Sequence, residues 1–320
     1  GIYEAWFGMD NRPAAAQLAV ALLGCVGLLL ALEHFSRGGR RFHPTTTRHP
    51  ALRPVRLTGW REAAAWLACG LPLLIGFVIP AGALLWLMVL AGDPFSPARY
   101  LPYARNSLVL SGVTAVLAVL FAAAMAWAAR LYPSPARSIA NRVASLGYAL
   151  PGSVIAVGVL VPFGLFDNAL DSWLRARFGV SSGLLLSGTM AALVFAYLVR
   201  FLAVALSTVE SGLARLKPSY TDAARVLGRR PGQAVREVEV PLARGALLTA
   251  GLLVFVDTMK ELPATLLLRP IGANTLATEL WTRTAAGEFG AAAPYAALLV
   301  LVAAIPAMIL SGVRPGAKEA

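Results

Sequence analysis

The chain has 320 residues, 58% of them hydrophobic and 14% charged, whereas soluble domains run at about 45–50% and 25%. That balance excludes a soluble globule, and the apolar residues fall in blocks close to the roughly 20 needed to cross a bilayer. The formal net charge is +12, but the cations lie mainly between the apolar blocks, so membrane lipid is an expected partner and nucleic acid is not.

The chain opens Gly1-Ile2-Tyr3, with no charged leader and no small-residue cleavage site after the first apolar block. It therefore reads as a fragment of a longer chain, without a signal peptide. Apolar blocks follow at about 14–32, 63–91, 106–129, 143–163, 183–206, 246–268 and 291–311, each a candidate spanning helix. Pro72, Pro80, Pro151, Gly152, Pro162, Pro263 and Pro306 interrupt them, which spanning helices tolerate where neighbours satisfy the freed backbone groups. Cys25 and Cys69 both lie inside apolar blocks and read as small core residues, with no disulfide framework or metal site.

Segment 33–62 is basic and rich in Pro, Gly and Thr. It reads as a cytoplasmic linker that divides the chain into 1–62 and a six-helix unit, 63–320. Its neighbourhood also holds His34, His43 and His49, without the paired spacing of a metalloenzyme. Farther on, Leu170, Trp173, Leu174 and Phe178 fall along one face of Asp167–Phe178, a pattern that suits either a short helix lying in the interface or a polar loop.

Seven crossings place alternate connections on opposite sides, and 19 of the 28 Lys and Arg fall on the side of 33–62, 130–142, 207–245 and the tail after 311. The positive-inside rule then puts the amino terminus outside and the carboxy terminus in the cytoplasm.

The cytoplasmic segment 219–241 has the most internal pattern. Ser219 and Asp222 are spaced as a capping box. Tyr220, Ala223, Ala224 and Leu227 repeat at helical spacing on one narrow face, and Gly228 can close the helix in the left-handed conformation. A turn at Arg229–Gly232 leads to a second short helical stretch carrying Ala234, Val235 and Val238, which Pro241 is expected to stop. Small contact residues on a cytoplasmic helical hairpin suit docking into a partner's cleft; a solvated connecting loop whose helix rests on the bilayer or on its own bundle is the plainer alternative.

In the sixth block, Asp257, Lys260 and Glu261 put three ionisable groups within five residues of a span. Such groups are costly in a bilayer and are expected to be paired or to line a wet cavity. Helical spacing puts Asp257 and Glu261 on one face, with Lys260 near Asp257 and Arg200 of the preceding span as a cross-helix partner. The group is either a hydrophilic patch on a translocation path, its carboxylates suited to transient contact with a hard cation, or an ion-pair network that fixes packing.

The run Asp222-Ala223-Ala224, Gly228, Val238, Val240 and Pro241 resembles the EAA loop of binding-protein-dependent ABC importer permeases, with Asp for Glu and Val for both Ile and Leu. The segment 257–263 with Leu268-Arg269-Pro270 resembles the ferric-iron branch of that family, in which two permease halves are commonly fused. The resemblance implies an all-α polytopic bundle, the MetI-like transmembrane domain of a type I ABC importer, at the bacterial inner membrane. It implies that residues 1–62 hold the last span of a preceding half and that 219–241 seats on a separate, dimeric ATP-binding subunit. It also implies an extracytoplasmic substrate-binding protein and the other permease half as partners.

No cofactor is expected in this chain. ATP and Mg belong to the partner ATPase, because the three lysines follow Leu216, Met259 and Ala317 and none completes a P-loop. The chain is thus expected to be a transporter subunit and not an enzyme. A secondary transporter using Asp257, Lys260 and Glu261 as coupling groups, or an ABC permease for thiamine, polyamine, phosphonate or sulfate, are the competing readings.

Overall fold

The computed structural model describes residues 1–37, 56–92 and 97–312. Most of the linker and the tail after Gly312, with His43, His49, Arg314 and Lys318, lie outside the described residues. A short π-helical turn, Glu4–Gly8, leads into α1 (Arg12–Arg37). After the linker come α2 (Trp60–Leu73), α3 (Ile79–Ala91), α4 (Pro97–Leu131), α5 (Pro135–Ser145), α6 (Gly152–Phe178) and α7 (Met190–Ala214). Then follow α8 (Pro218–Val226), α9 (Pro231–Ala234), α10 (Val240–Met259), α11 (Pro263–Leu268), α12 (Leu276–Ala285) and α13 (Phe289–Gly312). No strand occurs among the described residues.

Among the described residues, six helical runs are long and apolar enough to span a bilayer: Trp60–Ala91, Ala98–Leu131, Gly152–Phe178, Met190–Ala214, Pro231–Met259 and Phe289–Pro306. The first block of the sequence lies within α1, whose apolar stretch is Pro13–Leu29. Prolines set two local features. The run 60–91 passes through a π turn at Leu74–Val78 just before Pro80, and the run 231–259 does the same at Val235–Glu239 just before Pro241. A proline has no N–H to give to the preceding turn, and in both places the wider turn is where that missing bond is absorbed. Pro241 therefore does not stop the second cytoplasmic stretch, as the pattern suggested; the helix continues through it to Met259.

The core is made by α4, α7 and α10, which pack on one another. Their contact faces are lined by small residues: Ala115, Ala118, Ala122 and Ala126 on α4, Ala196 and Ala205 on α7, Ala243 and Ala250 on α10, all buried. In lipid there is little hydrophobic drive between helices, so close backbone approach through alanine and glycine supplies the contact. Around this centre, α13 packs against α3 and α12, and α1 packs against α6.

Several boundaries differ from the sequence pattern. Asp167–Phe178 is not a separate interfacial helix or a loop. It is the end of α6, because no breaker intervenes until Gly179 closes the helix at φ 67°. Buried Asp167 accepts bonds from the Leu186 and Ser187 amides and the Ser187 hydroxyl, which fixes the return to α7, where Thr189 caps the new helix through the Ala192 amide. The fourth block, 143–163, straddles an interruption between α5 and α6 at residues 146–151, and the sixth, 246–268, straddles another between α10 and α11. Cys25 and Cys69 are exposed and not core residues. A spanning helix is apolar on its outer face as well, so an apolar block does not say which of its residues point inward.

Candidate functional site

The loop between α7 and α10 folds as a helical hairpin. Pro218 takes the first helical position with Lys217 as N-cap, and no side chain caps the start. The predicted Ser219–Asp222 capping box is therefore absent, because the helix begins one residue before Ser219. Gly228 behaves as the pattern requires: its φ is +82°, its amide bonds Arg225 O, and the Arg229 amide bonds Ala224 O. Of the predicted contact face, only Ala224 is buried. Tyr220, Asp222, Ala223, Val226 and Leu227 are exposed, Val226 at 87% and Leu227 at 81%. A short helix presenting Val and Leu outward is an apolar surface that the described residues leave uncovered. Val238 is half-buried in the π turn, and Pro241 is exposed at the start of α10.

Beneath this hairpin lies Glu239, 1% exposed. Its carboxylate accepts from the indole Nε1 of Trp127 at 2.7 Å and from the Thr221 hydroxyl at 2.5 Å, and the Arg130 Nε lies 3.6 Å away. The Arg130 guanidinium also donates to the carbonyls of Leu213 and Leu216. One buried acid thus joins α8, the π turn and the last turn of α4, while Arg130 extends the junction to the end of α7.

The second constellation sits where the two interruptions meet. Arg200, the eleventh residue of α7, forms a 3.0 Å ion pair with Glu261, as expected for a cross-helix partner. Lys260 pairs with Asp257 at 2.9 Å. The expected sharing of one helix face by Asp257 and Glu261 does not hold. α10 ends at Met259, so Glu261 lies beyond it and accepts from the Ala264 amide in the first turn of α11. Pro263 explains the change, since it has no N–H with which to continue α10 but fits the first position of a new helix.

Below Glu261, the buried Thr265 donates to its carbonyl and receives the hydroxyl proton of Tyr197, at 2.6 Å. The Arg200–Glu261 pair rests against Gly152, the first residue of α6. A methyl group built there would fall 2.2 Å from Glu261 Oε1 and 2.3 Å from Arg200 Nη1. Two broken helices and one continuous helix therefore converge on one ion pair. Lys260 is largely exposed while Glu261 is buried, so the cluster runs from the packed interior to an open face.

On the far side of α11, the return to α12 is braced on α4. Asn106 donates to Asn274 O, and Ser107 accepts from the Leu276 amide. Thr275 and Thr278 form a capping box at the start of α12. Arg269 bonds Asn274, which also reaches Glu279, the partner of Arg283.

Sequence reasoning singled out Arg200, Asp257, Lys260 and Glu261, and the structure joins them as two pairs. It did not single out Glu239, Trp127, Arg130, Thr221, Tyr197 or Thr265, and it named Gly152 only as an interruption of an apolar block. A lone acid between Val238 and Val240 was the available signal for Glu239; nothing in the sequence ties Gly152 to residues 48 and 109 positions away. Among the described residues, no three His, Cys, Asp or Glu gather as a metal-binding group.

These features define a class: a multi-pass helical membrane protein with interrupted spans around a polar centre and a helical hairpin leading into its penultimate span. Residues 118–313 match the family model of the binding-protein-dependent transport system inner membrane component, and the chain belongs to that family of ABC importer permeases. It is 30% identical over 97% of its length to the Fe(3+)-transport system permease protein FbpB 2 of Haemophilus influenzae, of which it spans 59%. It is 28% identical over 67% of its length to a putative 2-aminoethylphosphonate transport system permease protein, PhnV, of Salmonella typhimurium, of which the match covers 73%. Its fold is similar to a chain of a bacterial alginate ABC transporter solved with a periplasmic protein carrying an alginate pentasaccharide, at TM-score 0.61 and 14% identity, covering 79% of this chain and 93% of that one. The all-α, MetI-like architecture and a multi-pass place in the inner membrane follow from the family and the apolar helices.

Proposed function

We propose that this chain is the membrane-spanning subunit of an ATP-driven importer of ferric iron, and that the hairpin 219–241 seats on a separate ATP-binding subunit. The observation that carries the reading is the uncovered face of α8: Tyr220, Val226 and Leu227 project from a helix that a left-handed glycine terminates sharply. Around it, Asp222, Ala223, Ala224, Gly228, Val238 and Pro241 form the docking element. ATP and Mg reside in a dimeric partner, an extracytoplasmic binding protein delivers the substrate, and another permease half completes the path. Residues 1–62 supply the last span and linker of that preceding half, and 63–320 form the six-helix unit. The amino terminus faces outside and the carboxy terminus faces the cytoplasm.

On this reading the substrate passes the polar centre of Arg200, Asp257, Lys260 and Glu261. Carboxylate oxygens suit a hard cation as cargo, and Asp257 and Glu261 would touch it transiently while exchanging with their own cationic partners. Iron is favoured over the phosphonate alternative by the relative that matches nearly the whole chain.

Replacing Gly228 with Trp forces a bulky residue into a φ of +82° and disturbs the seat without touching the bundle. In the full permease reconstituted with its ATPase and binding protein, Gly228→Trp is expected to leave insertion intact and to abolish uptake coupled to hydrolysis. Uptake and stimulated hydrolysis at the level of the unaltered protein would refute the docking role. For the substrate, Asp257→Asn with Glu261→Gln is expected to abolish uptake of radiolabelled ferric iron at normal expression, and unchanged uptake would reduce both pairs to packing elements.

A further inference from the structure

The hairpin could reach the bundle through its covalent ends, through packing, or through a specific bond. Packing ties α8, in which only Ala224 is buried among the described side chains, mainly to α9 and the π turn, the first turns of the run that continues into α10. Its covalent link to α7 runs through Arg215–Lys217, which carries no helix. The polar link is different in kind. Thr221 on α8 holds one oxygen of Glu239, while Trp127 on α4 holds the other, with Arg130 at the flank. Glu239 is almost fully buried, and a buried carboxylate with its donors removed is costly, so this junction resists being pulled apart.

We infer that Glu239 is the positioning residue through which movement of the docking hairpin is passed to α4, by way of Trp127 and Arg130. The inference rests on the docking role proposed above but specifies which helix is driven and by which side chain. α4 is the natural recipient. It is the longest helix among the described residues, at 35 residues; it packs on both α7 and α10; and its other end holds the α11–α12 return through Asn106 and Ser107. A displacement entering at Trp127 and Arg130 is therefore carried by one rigid element to the far side of the polar centre. The π turn contributes by ending on Glu239, the residue of that turn that is buried. Such wide turns recur at functional positions within helices.

The test uses the full permease with its ATPase and binding protein, with Cys25 and Cys69 replaced by Ser. Spin labels at Ser219 and Tyr132, both exposed, report the separation of α8 from the end of α4, and iron imported per ATP hydrolysed reports the transmission. In the parent protein the separation is expected to be narrow and to stay so when nucleotide binds, as for parts of one body. Glu239→Ala and Thr221→Val are expected to broaden it and to lower iron per ATP by about tenfold, within the range that one member of a coupling network carries. Hydrolysis itself should continue.

Glu239→Gln keeps an oxygen for Trp127 and a polar group for Thr221, and is expected to restore both readouts. A residue needed only for folding would reduce the yield of complex while leaving separation and stoichiometry unchanged in what forms; that result overturns the inference. So does a broadened separation with normal iron per ATP. A parent chain that fails to bind the ATPase refutes the docking role, whereas the label separation in Glu239→Ala still decides whether Glu239 ties α8 to α4.

Discussion

Gly152→Ala is a small change aimed at the polar centre. The added methyl would stand 2.2 Å from Glu261 Oε1 and 2.3 Å from Arg200 Nη1, where ordinary contact with carbon needs about 3.3 Å. Both atoms are tips of long side chains, so the backbone can stay in place, but each tip must retreat by about 1 Å from the methyl. If the pair opens from 3.0 Å to about 5 Å, its Coulomb energy at an effective dielectric of about 20 falls by about 2 kcal/mol, equivalent to roughly 30-fold in an equilibrium.

Unfolding of the full permease in detergent, titrated with a denaturing detergent and followed by tryptophan fluorescence, gives the cost. The same substitution is then made with Arg200→Gln and Glu261→Gln already present. If the pair carries the effect, Gly152→Ala costs about 2 kcal/mol in the parent and close to nothing in the neutral background. Equal costs in both would refute the reasoning, because the methyl would then be crowding the backbone and not the ion pair.

Other substitutions separate local roles. A methyl at Gly147 would meet the carbonyl of Val199, a backbone atom with no freedom to retreat, so Gly147→Ala is expected to prevent correct packing of α5 and α6, read as loss of membrane-inserted, protease-resistant protein. Asp167→Asn removes the charge that holds the Leu186 and Ser187 amides. It is expected to cost about 1.5–3 kcal/mol, typical of hydrogen bonds to a charged group, and to raise amide exchange at those two residues specifically.

The apolar blocks were legible because a bilayer demands long apolar runs whatever the packing, and the hairpin was legible because its glycine and alanines carry local conformational meaning. Interruptions were visible only as Pro and Gly. Whether a helix runs on through a proline, as it does at Pro80 after a π turn, or ends before one, as at Lys260–Leu262 before Pro263, depends on neighbours that take up the freed groups. Ser219 read as a cap because its hydroxyl and Asp222 are correctly spaced, yet Pro218 started the helix first. The Arg200–Glu261 pair followed from the cost of lone charges in lipid. The Glu239 junction did not, since Trp127 and Thr221 are unremarkable in sequence and meet only after α4 and α8 have been brought together by the fold.

The π turn at Val235–Glu239 also acts as a phase shifter. An extra residue in one turn offsets everything downstream by about 100° of rotation about the helix axis, the angle that one residue occupies in a 3.6-residue turn. The facing of α10 toward α4 and α7 is therefore set relative to the hairpin by that single inserted position. A one-residue deletion there would leave every downstream side chain chemically intact while aiming it at the wrong neighbour, and helical-wheel readings drawn straight across Val235–Glu239 inherit the same error.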